Sequence, residues 1–221
     1  MIKNINVLRK ISLFRELSED EIFLIMQSKA CFFKRYSRGT TIYGYTLPSA
    51  CAGIILKGTA DILHPSVHGH EAIVNRIMQG DSFGLAFACM QKKNPLNDIR
   101  CVTEVQIMFL EIWTLLQEGY LPADMHERLL KNVLITMAQN NIELNVKIQI
   151  LGQKTLQEKL MAYFEQLAWQ NASREIFLPF NREELACFLC SERSSVSREL
   201  SRLSDEGRIK IKGNQVELLS N

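Results

Sequence analysis

Seven side chains near the C-terminus are of the types that hold phosphates or read base edges: Arg193, Ser194, Ser197, Arg198, Arg202, Lys210 and Lys212. Their spacing places them together. Val196, Leu200 and Leu203 recur at helical intervals, which predicts a helix from about Arg193 to Glu206 with one buried stripe. A rotation of roughly 100° per residue puts Ser194, Arg198, Ser201 and Arg202 on the opposite arc. Arg193 flanks that arc at the N-terminal end, where a helix lying in a major groove meets the bases. Gly207 is placed to stop the helix. Two alternating runs, Arg208–Lys212 and Gln215–Leu219, then flank Gly213-Asn214 and predict a hairpin. Strand alternation puts Arg208, Lys210 and Lys212 on one of its faces.

The preceding residues set the frame for this surface. Asn181 caps a helix N-terminus, and Glu184 three residues on completes a capping box. Phe180 and Leu185 occupy the staple positions that fix the chain's entry angle. Leu185, Ala186 and Leu189 give a short apolar face, and a break follows at Cys190 and Ser191. The order is helix, tight turn, helix, basic hairpin, which is a winged helix-turn-helix. Net charge over the whole chain is only +2. Between Arg193 and Lys212, however, six Lys or Arg stand against three acids, so the positive charge is concentrated locally.

The run from Leu185 to Leu200, LACFLCSERSSVSREL, resembles the DNA-binding helices of the Crp–Fnr family of bacterial transcription regulators. Arg193, Ser194 and Arg198 match that family's base-contacting positions, and Val196 and Leu200 match its core positions. The chain departs from the pattern at Cys190, where the family usually has a small residue, often Gly. It departs again at Ser191, where an apolar turn residue is usual.

The rest of the chain fits an α+β fold. Residues 4–30 read as helical, with Ser18 as N-cap before Glu19, Asp20 and Glu21. Ile22, Ile25 and Met26 form the apolar face. From Cys31 to Ile112, short apolar or alternating runs are parted by turns at Arg38-Gly39, Leu47-Pro48, Lys57-Gly58, His68-Gly69 and Gln79-Gly80. That spacing predicts a small antiparallel, jelly-roll-like β-roll. The resemblance implies a sensor domain here, cyclic-nucleotide-binding-like, with Gly39, Gly58, Gly80 and Gly84 at its turns. A long helix follows, from about Ala123 to Leu151. Leu130, Leu134, Met137, Asn141, Leu144, Ile148 and Leu151 alternate in steps of four and three, a heptad seam with one polar member. This favours a parallel two-helix dimer, and the resemblance implies the same dimerisation helix. Gly152 is a hinge candidate before a helix over 155–170. The expected organisation is a sensor roll over 1–120, a dimerisation helix over 121–151 and a DNA-binding domain over 152–221.

The sensor segment lacks the chemistry for a cyclic nucleotide. In the family's cyclic-nucleotide binders, a Glu for the ribose hydroxyl and an Arg-Ser pair for the phosphate follow Phe-Gly. Here Leu85 stands where the Glu belongs and Pro95-Leu96 falls at the Arg-Ser position. None of these side chains offers the fixed donors a phosphate needs, and Lys92 and Lys93 have no bidentate fork. An effector pocket would then involve Phe83, Gly84, Leu85, Leu96 and Arg100. Cysteine placement does not fit an N-terminal iron–sulfur site, since the first is Cys31.

His64, His68 and His70 cluster at one turn, which leaves a haem- or metal-sensing reading beside that of a surface loop. A cupin-like metalloenzyme would need a Glu four or five residues after the second His, and Val74 and Asn75 stand there. Cys187 and Cys190 form a lone Cys-x-x-Cys, either two packed thiols or a redox switch that bends the turn. The reading is a homodimeric regulator, not an enzyme, that takes no cofactor and binds a near-palindromic duplex. RNA polymerase is a further partner where it activates. No apolar run reaches the eighteen or so residues a membrane span needs, and no signal peptide is visible, so the expected location is the cytoplasm.

Overall fold

The computed structural model describes residues 5–47, 51–64, 72–93 and 96–219. The chain divides into two compact units that part within the long helix, between Asn141 and Ile142, with Ala72 and Ile73 grouped with the second.

The first unit opens with α1 (Ile5–Leu8), a 3-10 turn (Ser12–Phe14) and α2 (Glu19–Gln27). The helical segment expected over 4–30 is thus made of separate short pieces, the last starting after the Ser18 N-cap. Leu8, Leu13, Phe14 and Leu17 are all buried, and in one α-helix Leu8 would point away from Leu13 and Phe14. The chain turns to bury them all, and Glu16 takes φ +64° in doing so. Ser18 caps α2 as expected, and Glu21 reaches back to complete a capping box.

The roll follows as β1 (Cys31–Tyr36), β2 (Thr41–Ile42), β3 (Cys51–Lys57), β4 (Thr59–His64), β5 (Ala72–Met78), β6 (Ser82–Phe83), β7 (Asp98–Cys101) and β8 (Val105–Glu111). Two short helices interrupt it, α3 (Leu85–Cys89) and α4 (Ile112–Leu115). The strands form two sheets, in the orders β1-β8-β3-β6 and β2-β7-β4-β5. The central strands of the first sheet, β3 and β8, are buried on both faces. Ala52, Ile54 and Leu56 of β3, with Met108 and Leu110 of β8, pack under the helices. Ile55, Ile107 and Phe109 point the other way, into the roll, against Ile42, Ile99 and Cys101 of the second sheet. Two-sided burial makes β3 and β8 nearly continuous apolar runs instead of alternating ones.

The helix α5 spans Ala123–Leu151. Met125, Leu129 and Val133 close the helical core of the first unit. The buried Asn132 donates from Nδ2 to the carbonyls of Leu13 (3.2 Å) and Arg15 (2.7 Å), tying α5 to the N-terminal turn. Arg128 of α5 binds Glu21, which holds that carboxyl below its ordinary value.

The second unit contains the end of α5, then α6 (Leu156–Asn171), β9 (Glu175–Phe177), α7 (Arg182–Phe188), α8 (Arg193–Asp205), β10 (Ile209–Lys212) and β11 (Gln215–Leu218). Thr155 and Glu158 cap α6 reciprocally. An aromatic cluster centres on Phe188, whose ring lies 4.9 Å from those of both Tyr163 and Phe180. Among the described residues no helix is long and apolar enough to cross a membrane.

Candidate nucleic-acid interface

The Asn181 side chain accepts from the N–H groups of Glu183 (3.0 Å) and Glu184 (2.9 Å), while the Glu184 carboxylate accepts from the Asn181 N–H at 2.7 Å. This capping box starts α7 where the sequence placed it. Phe180 and Leu185 are buried at the staple positions. The helix then closes in a Schellman pattern: the Ser191 N–H reaches the Ala186 carbonyl at 2.9 Å, and the Cys190 N–H reaches the Cys187 carbonyl at 3.4 Å. That pattern needs one residue in the left-handed region, and Cys190 supplies it with φ +52°. A non-glycine residue there costs about 1–2 kcal/mol. Cys190 thus adopts the backbone shape that the family's glycine would take without strain.

In α8, Val196, Leu200 and Leu203 are buried as the spacing required. Arg193, Ser194, Ser197, Arg198 and Arg202 are all exposed. Glu192 is the N-cap but makes no side-chain cap bond, so the first turn of α8 keeps its N–H groups directed outward. Arg198 donates to the Ser195 hydroxyl at 3.3 Å. Arg202 is less free than the sequence implied, because it pairs with Glu206 at 2.9 Å and approaches Glu199 at 4.0 Å.

The wing forms around Gly213, whose φ is +59°. Lys210 and Lys212 are exposed on β10, with Ile209 buried between strand and core, while Arg208 precedes the strand. Lys210 lies opposite Glu217 and pairs with it at 3.4 Å. Such an exposed pair is worth at most about 1 kcal/mol, so a phosphate can compete for the lysine. Arg193, Arg198 and Lys212 have no ion pair among the described residues.

Three supporting parts gave no clear sequence signal. Strand β9 pairs with β11 and makes the hairpin a three-stranded sheet. Arg174 holds the carbonyls of Leu218 (2.8 Å) and Leu219 (3.0 Å). Arg182 donates to the Gly213 carbonyl at 2.9 Å and so braces the wing turn against α7. Its other terminal nitrogen is buried without a hydrogen-bond partner among the described residues.

The expected effector positions do not gather into one cluster. Phe83 packs inside the roll edge-on to Phe109. Leu85 is buried in the helical core on the other side of the first sheet. Gly84 takes φ +73° as the N-cap of α3. Leu96 is exposed, and its carbonyl lies 3.0 Å from His64 Nδ1. Arg100 stands across from Thr41 and Asp61 in the second sheet, out of phase with the inward-facing Ile99. Pro95, His68 and His70 lie outside the described residues. Among the described residues no three His, Cys, Asp or Glu side chains are grouped to hold a metal ion.

A β-roll, a long helix and a winged helix-turn-helix define a class of DNA-binding transcription regulator. Sequence models agree on both ends: residues 33–117 match the cyclic nucleotide-binding domain, and residues 158–220 match the Crp-like helix-turn-helix domain. The chain belongs to the Crp–Fnr family, whose members are transcription regulators and not enzymes. No curated protein is a significant sequence match.

Solved structures share the fold. The c-di-GMP responsive global regulator CLP of Xanthomonas campestris matches with a TM-score of 0.72 at 15% identity, covering 92% of this chain and 100% of that one. FixK2 of Bradyrhizobium japonicum matches with a TM-score of 0.67 at 19% identity, over 86% of this chain and 93% of its own. A CooA mutant of Carboxydothermus hydrogenoformans matches with a TM-score of 0.64 at 16% identity, over 97% and 94%.

Proposed function

We propose that the protein acts as a homodimer on a near-palindromic operator, under an effector other than a cyclic nucleotide or under none. The observation that carries the dimer is the outer face of α5. Leu130, Leu134, Met137, Leu144 and Ile148 are all exposed apolar residues at heptad spacing, with Leu134 at 62% and Ile148 at 66%. A continuous apolar stripe on one helix is what a second copy of the same helix covers. Asn141 lies in that stripe and sets its register.

Two α8 helices related by the dimer's two-fold axis then read successive major grooves through Arg193, Ser194, Ser197 and Arg198. Arg202, Lys210 and Lys212 hold the flanking phosphates. The working parts are a sensor roll over 1–120, a dimerisation helix over 121–151 and a DNA-binding domain over 152–221. At promoters it activates, RNA polymerase is the further partner, and its place of action is the cytoplasm.

The effector reading rests on Leu85, which sits 2% exposed among apolar neighbours. It replaces the carboxylate that would hold a ribose. Selection of duplexes from a random pool by the reduced protein tests the whole reading. The expected yield is paired, inverted half-sites about one helical turn apart, roughly 34–36 Å. Single half-sites, or no enrichment, overturn it. Calorimetry with cyclic AMP and cyclic GMP is expected to show no binding, and a micromolar constant for either would overturn the effector reading.

A further inference from the structure

We propose that Cys190 is a hydroperoxide-reactive thiol, placed beside Lys147 in the helix-turn-helix turn and resolved by Cys187, and that its oxidation releases DNA. The regulatory part of this proposal rests on the DNA-binding reading above. The thiol chemistry does not.

Three observations converge on this turn. First, Cys190 is exposed and holds a left-handed backbone at φ +52°. Glycine would be unstrained there, so the thiol stands against the local backbone preference. Second, Cys187 and Cys190 are the first and fourth residues of one turn, joined by the 3.4 Å hydrogen bond. Such a turn keeps its end Cα atoms within about 7 Å, which is disulfide range after modest adjustment. Third, Lys147 comes from α5 to this same turn. Its ammonium donates to the Phe188 carbonyl at 2.5 Å and lies 2.7 Å from the centre of the Phe188 ring. Burial pushes the Lys147 amine down to about 7, and the charge of Cys190 pushes it back up. Near neutral pH this amine can therefore take up or release a proton beside the thiol.

The last carbonyls of α7 oppose a thiolate, but they carry only about half a charge. The Lys147 ammonium carries a full one. Burial dominates at the cysteines of the roll: it pushes Cys31 up to about 12 and Cys51 up to about 11, where the Lys34 charge offsets only part of the rise, and it raises Cys89 and Cys101 as well. They stay neutral thiols and react slowly.

The chemistry balances in two steps. Lys147 takes the Cys190 proton, and the thiolate sulfur attacks one oxygen of hydrogen peroxide. The S–O bond forms, the O–O bond breaks, and the leaving hydroxide takes the proton back from Lys147 and departs as water. The sulfur loses two electrons and the peroxide gains them. The Cys187 sulfur then attacks the sulfenic sulfur. The S–S bond forms, the S–O bond breaks, and hydroxide leaves with the Cys187 proton as a second water. A disulfide fixes its own dihedral, so the turn must leave its Schellman shape. Arg193, the first residue of α8, is three residues beyond Cys190 and moves with it.

The test uses the full chain, reduced, with the duplex that the reduced protein selects. Peroxide is added, and each cysteine is followed by mass spectrometry while duplex affinity is followed by anisotropy. The expected result is a Cys187–Cys190 disulfide formed before any change at Cys89. Affinity should fall about tenfold or more, as removal of one or two base-specific hydrogen bonds would make it, and dithiothreitol should restore it. Cys187→Ser should stop at a Cys190 sulfenic acid that dimedone traps. Lys147→Met should react at least about tenfold more slowly, because the amine that takes the Cys190 proton is gone. Cys190→Gly should fold, bind DNA and ignore peroxide. Oxidation of Cys190 no faster than that of Cys89, or a disulfide that leaves affinity unchanged, overturns the proposal. Reduced protein that shows no duplex preference but still oxidises at Cys190 sinks the regulator reading and leaves the thiol chemistry standing.

Discussion

Phe83 fills the space that any side chain on residue 53 would need. A Cβ built on Gly53 would lie 2.0 Å from the tip of the Phe83 ring, and the two residues pair directly across β3 and β6. The same ring packs edge-on to Phe109, which stacks on Phe32. The roll therefore holds aromatic side chains at its centre, and glycine at 53 is what admits them.

Gly53→Ala should destabilise the roll by about 1–3 kcal/mol, the usual cost of overpacking. Shortening the opposing ring relieves the clash, so Gly53→Ala with Phe83→Leu should recover part of the loss. Denaturant melts of the two variants measure this. Equal stability of Gly53→Ala and the parent chain would contradict the packing described.

The C-terminal unit was legible because its signals are local. The Asn181 cap, the stripe of Val196, Leu200 and Leu203, and the turn glycines Gly207 and Gly213 each act within a few residues. What was hidden depends on distant chain. Strand β9 has three residues and exists through its pairing with Gln215–Glu217. Nothing local in the sequence marks Lys147, and only tertiary placement puts its amine against Phe188. The left-handed turn at Cys190 was masked because the residue type argues against it. In the roll, two-sided burial of β3 and β8 erased the alternation that would have marked their faces. Sequence order sets Phe83 beside Leu85, whereas the fold sends the two side chains to different cores, which no local pattern signals.

Lys147 gives a pH dependence of known sign. Its amine is held at about 7 in the folded chain against an ordinary 10.5. Between those values the unfolded chain binds the extra proton, so stability rises with pH across the window. Below about pH 7 both states are charged and the full burial penalty remains. Lys147→Met removes that penalty, together with the hydrogen bond to the Phe188 carbonyl, and should stabilise the chain by several kcal/mol, at most about 5 kcal/mol, below pH 7. The gain should shrink toward pH 10. Melts of both proteins from pH 6 to 9.5 test this, and a difference that stays constant with pH would contradict a neutralised lysine.

The α5 stripe makes its own demand. Replacing Leu134 or Leu144 with Glu would set a charge against its symmetry mate, a cost of several kcal/mol. These variants should sediment as monomers with the roll still folded, and should lose affinity for paired half-sites. Asn141→Leu should raise the melting temperature while loosening oligomeric state. Parent protein that is monomeric at tens of micromolar, or a Leu144→Glu variant that stays dimeric, would assign the stripe to another role.

The most direct test compares two kinds of cation on one selected duplex. Arg198→Ala should cost about 1–3 kcal/mol and relax preference at one base step in each half-site. Lys210→Ala and Lys212→Ala should instead weaken every sequence alike and reduce the salt slope by about one for each phosphate that the protein no longer neutralises. Anisotropy titrations across salt concentration and across single-base variants of the duplex separate the two patterns. The account predicts a sequence-dependent loss for Arg198 and a sequence-independent loss for the wing lysines. Identical behaviour of all three variants, or equal binding of the parent protein to selected and random DNA, would contradict it.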